Sequence, residues 1–284
     1  MYDFKIGVML DSFRLPIDEA IAKAVSIGAD GFQVYAVGGP VSHEGMDATR
    51  RKEFAKKVAD AGIVISALCG DFGQGLYSPE INKVILEKSK RVLQLASDLG
   101  TKVVTTHIGV VPEDKNHPRY AIMQEGCYAL AKAADDIGVR FAVETGPETS
   151  KVLKGFLDSL GSKGVSVNLD PANLVMVTGD DPVQAVYNLK DYIVHTHAKD
   201  GVMLNRTKPE YIYGVEPAPA GLPAAFEEVP LGTGSVDFPA YLKALGDIGY
   251  NGFLTIEREV GEDPAKDISM AADFLRDTIK KING

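Results

Sequence analysis

Residues 139–170 read VRFAVETGPETSKVLKGFLDSLGSKGVSVNLD, and they contain the clearest alternation of apolar runs and a helical pattern in the chain. An apolar run over 139–144 ends in an acid, and a helical period follows over 149–160. A glycine at 164 then precedes a second apolar run over 165–170, which also ends in an acid. Two apolar runs joined by a helix are typical of parallel strands with a crossover helix. The stretch therefore predicts one complete β/α unit and the strand of the next.

The same alternation of strand and helix continues on both sides of this unit. The remaining strands are predicted at 4–10, 31–35, 63–68, 102–107, 192–197 and 252–257, and the remaining helices at 16–25, 47–61, 79–99, 117–137, 182–189, 236–248 and 264–282. Eight such units favour an α/β fold of the closed (β/α)8 TIM-barrel type, as a single domain over 1–284. The first strand also lacks the GxGxxG turn of an open dinucleotide-binding sheet.

One connection departs from this rhythm. Residues 200–235 are rich in proline and glycine and follow the seventh strand. An ordinary connection from strand to helix has about 2–6 residues. Since active sites of TIM barrels form at the carboxyl ends of the strands, we expect a lid-like loop over about 200–235.

Composition excludes several classes of protein. Hydrophobic residues make up 45% and charged residues 24% of the chain, an ordinary globular balance. The formal charge of −9 disfavours nucleic acid as a partner. Cys69 and Cys127 are too few for a disulfide framework and are predicted to be buried apolar residues. No apolar run approaches the ~18 residues of a membrane span, and the chain opens on an alternating strand rather than a signal peptide. We expect a cytoplasmic protein without a membrane partner.

Four polar side chains end the last four predicted strands. They are Glu144, Asp170, His197 and Glu257. Adjacent strands would bring them to one rim, where three carboxylates would repel one another unless a cation neutralised them. Carboxylate oxygens with one imidazole suit one divalent metal ion, either Mn²⁺, Mg²⁺, Co²⁺ or Zn²⁺. We favour Mn²⁺, because a site of mainly oxygen ligands selects hard ions.

Two side chains share the strand face of His197. His195 precedes it by the two-residue period and lies deeper, so it is predicted to donate a hydrogen bond to a metal ligand rather than to bind the ion itself. Lys199 follows on the same face and is predicted to contact a substrate oxygen, with a salt bridge to Asp200 or Glu259 as the alternative. The GTGS sequence at 232–235 could cradle a phosphate, but it lacks a nearby lysine or arginine, which favours a turn and helix cap.

The chain resembles the xylose-isomerase-like TIM-barrel superfamily of sugar phosphate isomerases and epimerases, which includes ketose 3-epimerases, inosose dehydratases and endonuclease IV. The motifs that carry the resemblance are THIG at 106–109, VET at 143–145, LDPAN at 169–173, HTHAKD at 195–200, VPLGTGSVDF at 229–238 and GFLTIERE at 252–259. They are specific for the superfamily but not for one reaction. The resemblance also implies a homodimer or homotetramer.

Site residues follow from the resemblance, position by position. It implies that the four residues at the strand ends bind one divalent ion and that Glu144 and Glu257 are also the acid/base pair. It makes His107 a substrate-contacting residue, with a core or second-shell histidine as the alternative, and it makes Asn173 a substrate contact. Arg258 is a weaker candidate, because it alternates away from Glu257 along the strand.

The endonuclease branch of the superfamily uses three zinc ions and additional histidines, one of them three residues after the strand-six aspartate. That position is Asn173 in this chain, and strand three ends LCGD at 68–71 without a histidine. A trinuclear site therefore lacks ligands here, and the acidic composition agrees.

These residues predict a divalent-metal-dependent sugar isomerase or epimerase that acts on a ketose or keto-sugar. One glutamate would remove the proton next to the carbonyl, and the other would return it to the metal-stabilised enediolate. A leaving group β to the carbanion would make the enzyme a metal-dependent lyase or dehydratase of a keto-sugar or inosose instead. An alternative from a different class is a catalytically silent barrel that binds carbohydrate.

Overall fold

The computed structural model describes residues 1–284. In chain order the strands are β1 (Lys5–Met9), β2 (Gly31–Tyr35), β3 (Val64–Cys69), β4 (Val103–Thr106), β5 (Arg140–Glu144), β6 (Val165–Leu169), β7 (Ile193–Ala198), β8 (Asp200–Met203), β9 (Phe226–Val229) and β10 (Phe253–Ile256). Eight of them form a closed parallel barrel in the order β1-β10-β7-β6-β5-β4-β3-β2. The predicted (β/α)8 TIM barrel is confirmed.

Helices connect the barrel strands and cover the outside of the barrel. They are α1 (Ile17–Ser26), α2 (Ala48–Asp60), α3 (Pro79–Asp98), α4 (Pro118–Ile137), α5 (Ser150–Leu160), α6 (Pro171–Asn173), α7 (Pro182–Leu189), α8 (Pro209–Ile212), α9 (Phe238–Asp247) and α10 (Pro264–Asn283). Several begin with proline, which suits the first helical turn because its missing N–H is not needed there. None of them is long and apolar enough to cross a membrane.

Most of the buried apolar residues pack into one core that extends from the barrel to the surrounding helices, and a small second cluster of Ala172, Met176 and Val177 lies beside it in the chain segment after β6. Both Cys69 and Cys127 are buried free thiols, as the sequence predicts. A single core that includes residues from β1 to α10 is what holds the chain as one domain. The polar residues of the barrel are concentrated at the carboxyl ends of β5, β6, β7 and β10, where they form the candidate site.

Gly164 allows helix α4 to approach the start of β6 closely. A Cβ atom at this position would lie 1.8 Å from the carbonyl oxygen of Ala131. We expect Gly164→Ala to lower the free energy of unfolding by about 1–3 kcal/mol, measured by urea denaturation. The control is Gly155→Ala in α5, where no atom lies within 4 Å of the added methyl group and a gain of about 0.5–1 kcal/mol is expected. Equal stabilities of the two variants would contradict the close approach.

The connection between β7 and α9 contains more regular structure than the sequence predicts. Strands β8 and β9 pair as an antiparallel hairpin, from Asp200 opposite Val229 to Met203 opposite Phe226. The short helix α8 lies between them. The expected loop over 200–235 is therefore partly folded. The paired segments are short and distant in the sequence, so no local pattern indicates their pairing.

Candidate metal centre

Four side chains converge at the carboxyl end of the barrel, on the neighbouring strands β5, β6, β7 and β10. They are Glu144, Asp170, His197 and Glu257, and one donor atom from each lies within 4.8 Å of the other three. All four are buried, and Asp170 and His197 are fully inaccessible to solvent. The structure thus brings together the four residues that the sequence singles out as metal ligands.

The distances centre on the imidazole of His197. Its Nδ1 lies 3.3 Å from Asp170 Oδ2, 3.3 Å from Glu257 Oε2 and 3.5 Å from Glu144 Oε1. Burial lowers the pKa of His197, but Glu257 and Glu144 raise it by more, so the pKa lies well above the usual value. The three carboxylates therefore favour a positive charge at this point.

The other nitrogen of His197, Nε2, lies between two amide side chains. Gln33 Oε1 lies 3.0 Å from it and Asn168 Nδ2 lies 3.1 Å from it, while Gln33 Nε2 donates to Thr105 Oγ1 at 2.8 Å. These contacts orient the ring so that Nδ1 faces the carboxylates. Three carboxylates and an imidazole oriented in this way fit a divalent cation.

His195 lies two residues before His197 on β7 and reaches the four converging side chains through Asn168. Its Nδ1 lies 2.9 Å from Asn168 Oδ1, and Asn168 Nδ2 donates to Glu144 Oε2 at 3.1 Å. His195 Nε2 lies 2.9 Å from Thr255 Oγ1. Burial holds the pKa of His195 well below the usual value, and the neighbouring His197 adds to this effect. His195 is therefore a neutral support for Asn168, which orients Glu144.

Two of the predicted substrate-contacting residues line the cavity beside Glu144. His107 Nδ1 lies 2.9 Å from Asp71 Oδ2, and its Nε2 has no hydrogen-bond partner. Burial lowers the pKa of His107, but Glu144 and Asp71 raise it to about 9, so the ring is positively charged at neutral pH. Asn173 Nδ2 donates to Glu144 Oε1 at 3.2 Å, and its backbone N–H donates to Asp170 Oδ1 at 2.9 Å.

Lys199 also lines this cavity, close to Glu257. Its Nζ donates to Glu257 Oε2 at 3.0 Å and to Glu259, and it lies 3.8 Å from Glu228 Oε2. The Lys199–Glu259 salt bridge that the sequence analysis names as an alternative is therefore present beside the contact with Glu257. Burial lowers the pKa of Lys199, but Glu257 and other carboxylates raise it well above the usual value.

Arg258, the weaker candidate, does not line the cavity. Its guanidinium donates to Glu228 at 2.7 Å and to Asp267 at 2.9 Å. Because the side chain alternates away from Glu257, it joins β9 and α10 to the end of β10. Arg258 is thus a structural link between the connection after β7 and the barrel.

Sequence reasoning missed several residues of the site. Gln33 and Asn168 are buried polar residues within apolar strands, a pattern that could have indicated a functional role. Asp71 follows β3 and holds His107. Tyr213 reaches the cavity from the long connection, and its ring centroid lies 5.5 Å from that of His107. No local signal distinguishes this tyrosine from the others in the chain.

Glu144, His107, Lys199 and Tyr213 are among the residues that line a cavity of about 230 Å³, enough for one small sugar. Apolar side chains such as that of Phe226 belong to the same lining. A lining of both polar and apolar groups suits a carbohydrate, which carries polar hydroxyl groups and apolar C–H groups. The cavity thus places a small polar ligand against the four converging donors.

Glu148 is another buried carboxyl group near this centre, and no sequence motif singles it out. Its Oε2 accepts a hydrogen bond from the backbone N–H of Val111 at 3.1 Å, and its Oε1 has no partner. Burial raises its pKa from 4.5 to about 8. The folded protein therefore keeps the carboxyl protonated at neutral pH, whereas the unfolded chain releases the proton above about pH 4.5.

We expect Glu148 to make the protein less stable as the pH rises from about 4.5 to about 8. Glu148→Gln keeps the shape of the side chain and cannot ionise. At pH 8 it should raise the free energy of unfolding by more than about 1 kcal/mol, with a smaller effect at pH 4.5. Urea denaturation at both pH values measures this difference. The exposed Glu113→Gln is the control, and equal pH dependence of both variants would contradict the prediction.

The chain matches a known protein family over most of its length. Residues 21–278 match the model of the family described as xylose isomerase-like TIM barrel. The chain belongs to this family. The predicted superfamily resemblance is therefore confirmed.

Individual proteins that are similar to this chain show how far the likeness extends. The L-ribulose-5-phosphate 3-epimerase UlaE of Escherichia coli K12 is 24% identical over 243 residues, which cover 82% of this chain and 78% of that relative. The crystal structure of a xylose isomerase domain protein from Planctomyces limnophilus has a TM-score of 0.80 and 26% identity, and the match covers 99% of this chain and 98% of the other. The IolI protein, solved with a zinc atom, has a TM-score of 0.75 at 16% identity and covers 98% of both chains.

Proposed function

We propose that this chain is a divalent-metal-dependent sugar isomerase or epimerase that acts on a ketose or keto-sugar. The observation that carries the proposal is the convergence of Glu144, Asp170, His197 and Glu257 on one point beside a cavity of sugar size. Two comparisons support it: a curated relative is a 3-epimerase, and the similarly folded IolI protein binds zinc.

The four converging side chains would hold the cation through three carboxylates and His197 Nδ1. Mn²⁺ is our first choice for this oxygen-rich donor set, with Mg²⁺, Co²⁺ and Zn²⁺ as the alternatives. A divalent ion bound there would stabilise the negative charge that develops on a carbonyl oxygen when the adjacent carbon loses a proton, a contribution of several kcal/mol.

Glu144 and Glu257 are the proposed acid/base pair, since they enter the cavity from different strands. Glu144 is held by the amides of Asn168 and Asn173, and Glu257 is held by Lys199 Nζ. One carboxylate accepts the proton from the carbon next to the carbonyl, and the other glutamate returns a proton. Return to the same carbon from the opposite face gives an epimer, whereas return to the neighbouring carbon gives an isomer.

His107, Asn173 and Lys199 are the proposed substrate-binding residues. His107 offers the free Nε2–H of a charged ring, and Lys199 offers Nζ protons to a hydroxyl or carbonyl oxygen. The connection after β7 contributes Tyr213 and Phe226, whose rings line the cavity. With a substrate bound, these rings would exclude water from part of the site and strengthen the interactions of the charged groups with the substrate.

Proton exchange distinguishes the proposed activity from its alternatives. An epimerase or isomerase incubated with its ketose in D₂O replaces a carbon-bound proton by deuterium and conserves the composition of the sugar, as followed by NMR. Formation of an unsaturated product would instead show a lyase or dehydratase. Sugar binding without exchange or product would show a carbohydrate-binding barrel and would contradict the proposal.

Removal of the metal should abolish turnover. After exhaustive chelation we expect the rate of exchange to fall by at least about 100-fold, because stabilisation of the carbanion is lost. Added Mn²⁺ should restore it, with one ion bound per chain by metal analysis. Chelation buffer that has been saturated with Mn²⁺ beforehand is the control for effects of the chelator. Full turnover in protein that contains no metal would disprove the mechanism.

A further inference from the structure

We infer that the substrate of this centre is an uncharged keto-sugar rather than a phosphate ester. The inference rests on the proposed function, because the converging donors define where the sugar lies. Three observations support it. Acidic side chains outnumber cations around the cavity, and the carboxylate of Asp200 occupies the turn at 232–236 that could bind a phosphate. The two neighbouring spaces also lack a surplus of cations.

Acidic groups dominate the central cavity. The carboxyl side chains that line it are those of Asp71, Glu144, Glu257 and Glu259, and Asp170 lies with the donors beneath them. The cations that line it are Lys199 and His107, and no arginine is present. Lys199 already binds Glu257 and Glu259, and His107 binds Asp71. A further carboxylate, that of Glu228, lies 3.8 Å from Lys199 Nζ. A phosphate dianion would therefore meet a surplus of negative charge, even beside a divalent cation.

The turn in which a TIM barrel often binds phosphate is occupied by a carboxylate of the chain itself. Asp200 Oδ2 accepts hydrogen bonds from the backbone N–H groups of Gly232 at 3.0 Å and Gly234 at 2.8 Å. Its Oδ1 accepts from Val236 at 3.1 Å and from Gly201 at 2.9 Å. Asp200 is buried and its carboxylate accepts four backbone hydrogen bonds, so the chain itself supplies the anion for this turn. The N–H groups that could cradle a phosphate are thus unavailable to a ligand.

The first adjoining space is an apolar groove of about 370 Å³, and Tyr35 lines both the groove and the central cavity. Its lining includes Leu10, Ile17 and Val41, and its one carboxyl group is that of Asp11. No lysine, arginine or histidine lines the groove. A charged end of a substrate would therefore find no counter-charge on this side of the cavity.

The second adjoining space is a cleft of about 330 Å³, which shares Val177 with the central cavity. Arg206 is the one cation that lines the cleft, and the carboxyl groups that line it are those of Glu113, Glu148 and Glu210. Burial keeps Glu148 protonated at neutral pH, so the carboxylates are those of Glu113 and Glu210. The Arg206 guanidinium donates to the carbonyl oxygen of Thr178 at 3.3 Å. Two carboxylates still outnumber the single cation, so this cleft is a poor place for a phosphate group. Arg206 is nevertheless the residue to test if an ester binds.

The test compares matched pairs of substrates on the full, metal-loaded protein. The pairs are L-ribulose with L-ribulose 5-phosphate, D-xylulose with D-xylulose 5-phosphate and D-fructose with D-fructose 6-phosphate. We expect kcat/KM for proton exchange in D₂O to be at least about 100-fold higher for the neutral member of any active pair, because like charges in close contact oppose binding of the ester. An ester that reacts as well as its neutral partner, or better, overturns the inference.

Binding measurements keep this result separate from the proposed function. If no sugar exchanges a proton or reacts, the proposed function fails, and calorimetry with the same pairs then decides the inference. Binding of neutral sugars alone supports it, whereas tighter binding of an ester, or binding of neither member, overturns it. Arg206→Gln, with the exposed Lys208→Gln as its matched control, locates any ester that binds. Loss of ester binding in the Arg206 variant alone would place a phosphate in the cleft and would also overturn the inference.

Discussion

Glu257→Gln should lower kcat by about 10²–10⁴-fold, and Glu144→Gln should have an effect of the same size. Glutamine keeps the length of the side chain and one oxygen, but it cannot accept or return a proton. Each variant therefore removes one half of the proposed proton transfer. Lys199 can still donate to an oxygen at residue 257, whereas the one amide oxygen at residue 144 can accept from Asn168 or from Asn173 but not from both.

The measurement must separate loss of proton transfer from loss of the metal. Each variant is therefore assayed for proton exchange in excess Mn²⁺, and its metal content is measured in parallel. Glu259→Gln is the matched control, because this residue also contacts Lys199 but is not one of the four converging donors. We expect the control to lose less than about 10-fold in kcat, since its salt bridge is partly exposed. Activity of Glu257→Gln or Glu144→Gln within about 10-fold of the unmodified protein would refute the assigned acid/base pair.

The four converging donors were predictable because each ends an apolar strand. An apolar run that closes on a glutamate, aspartate or histidine gives both the strand and the position of the polar group. The barrel topology then supplies the only long-range information needed, which is that β5, β6, β7 and β10 are neighbours. Local periodicity and one topological rule thus account for Glu144, Asp170, His197 and Glu257.

The supporting residues depend on contacts that no local pattern records. Gln33 and Asn168 are visible in the sequence as polar residues within strands, but their common partner His197 lies far away in the chain. The hairpin of β8 and β9 is even less accessible to sequence reasoning, since its register depends on pairing across more than twenty residues. Tyr213 owes its place in the cavity to that hairpin and to helix α8.

Charged contacts fix the position of the long connection over the barrel mouth. On β9, Glu228 accepts hydrogen bonds from Arg258 at 2.7 Å and from the backbone N–H of Glu259. Glu228 also lies near Lys199, which holds Glu257. The Glu228 carboxylate therefore contacts both Arg258 and Lys199, the lysine that holds Glu257. Folding of the hairpin and the shape of the site are coupled through Glu228.

Asp200→Ala should lower the free energy of unfolding by at least about 3 kcal/mol. Asp200 starts the hairpin, and its buried carboxylate accepts hydrogen bonds from four backbone N–H groups. Hydrogen bonds to a charged group contribute about 1.5–3 kcal/mol each. Alanine leaves these N–H groups without their acceptor in a turn that is partly buried, with the N–H groups of Gly201 and Val236 inside the protein. Asp200→Asn keeps one oxygen acceptor, so its loss should be smaller, about 1–2 kcal/mol.

Urea denaturation followed by circular dichroism measures both changes. The control is Asp237→Ala, which removes the cap of α9 and its one hydrogen bond to the N–H of Ala240 at 3.1 Å. Loss of such a cap costs about 1 kcal/mol. If Asp200→Ala is no more destabilising than this cap variant, then the carboxylate does not hold the turn before α9. The larger loss is expected because the buried Asp200 carboxylate accepts four backbone hydrogen bonds. The exposed Asp237 carboxylate accepts one, at the start of α9.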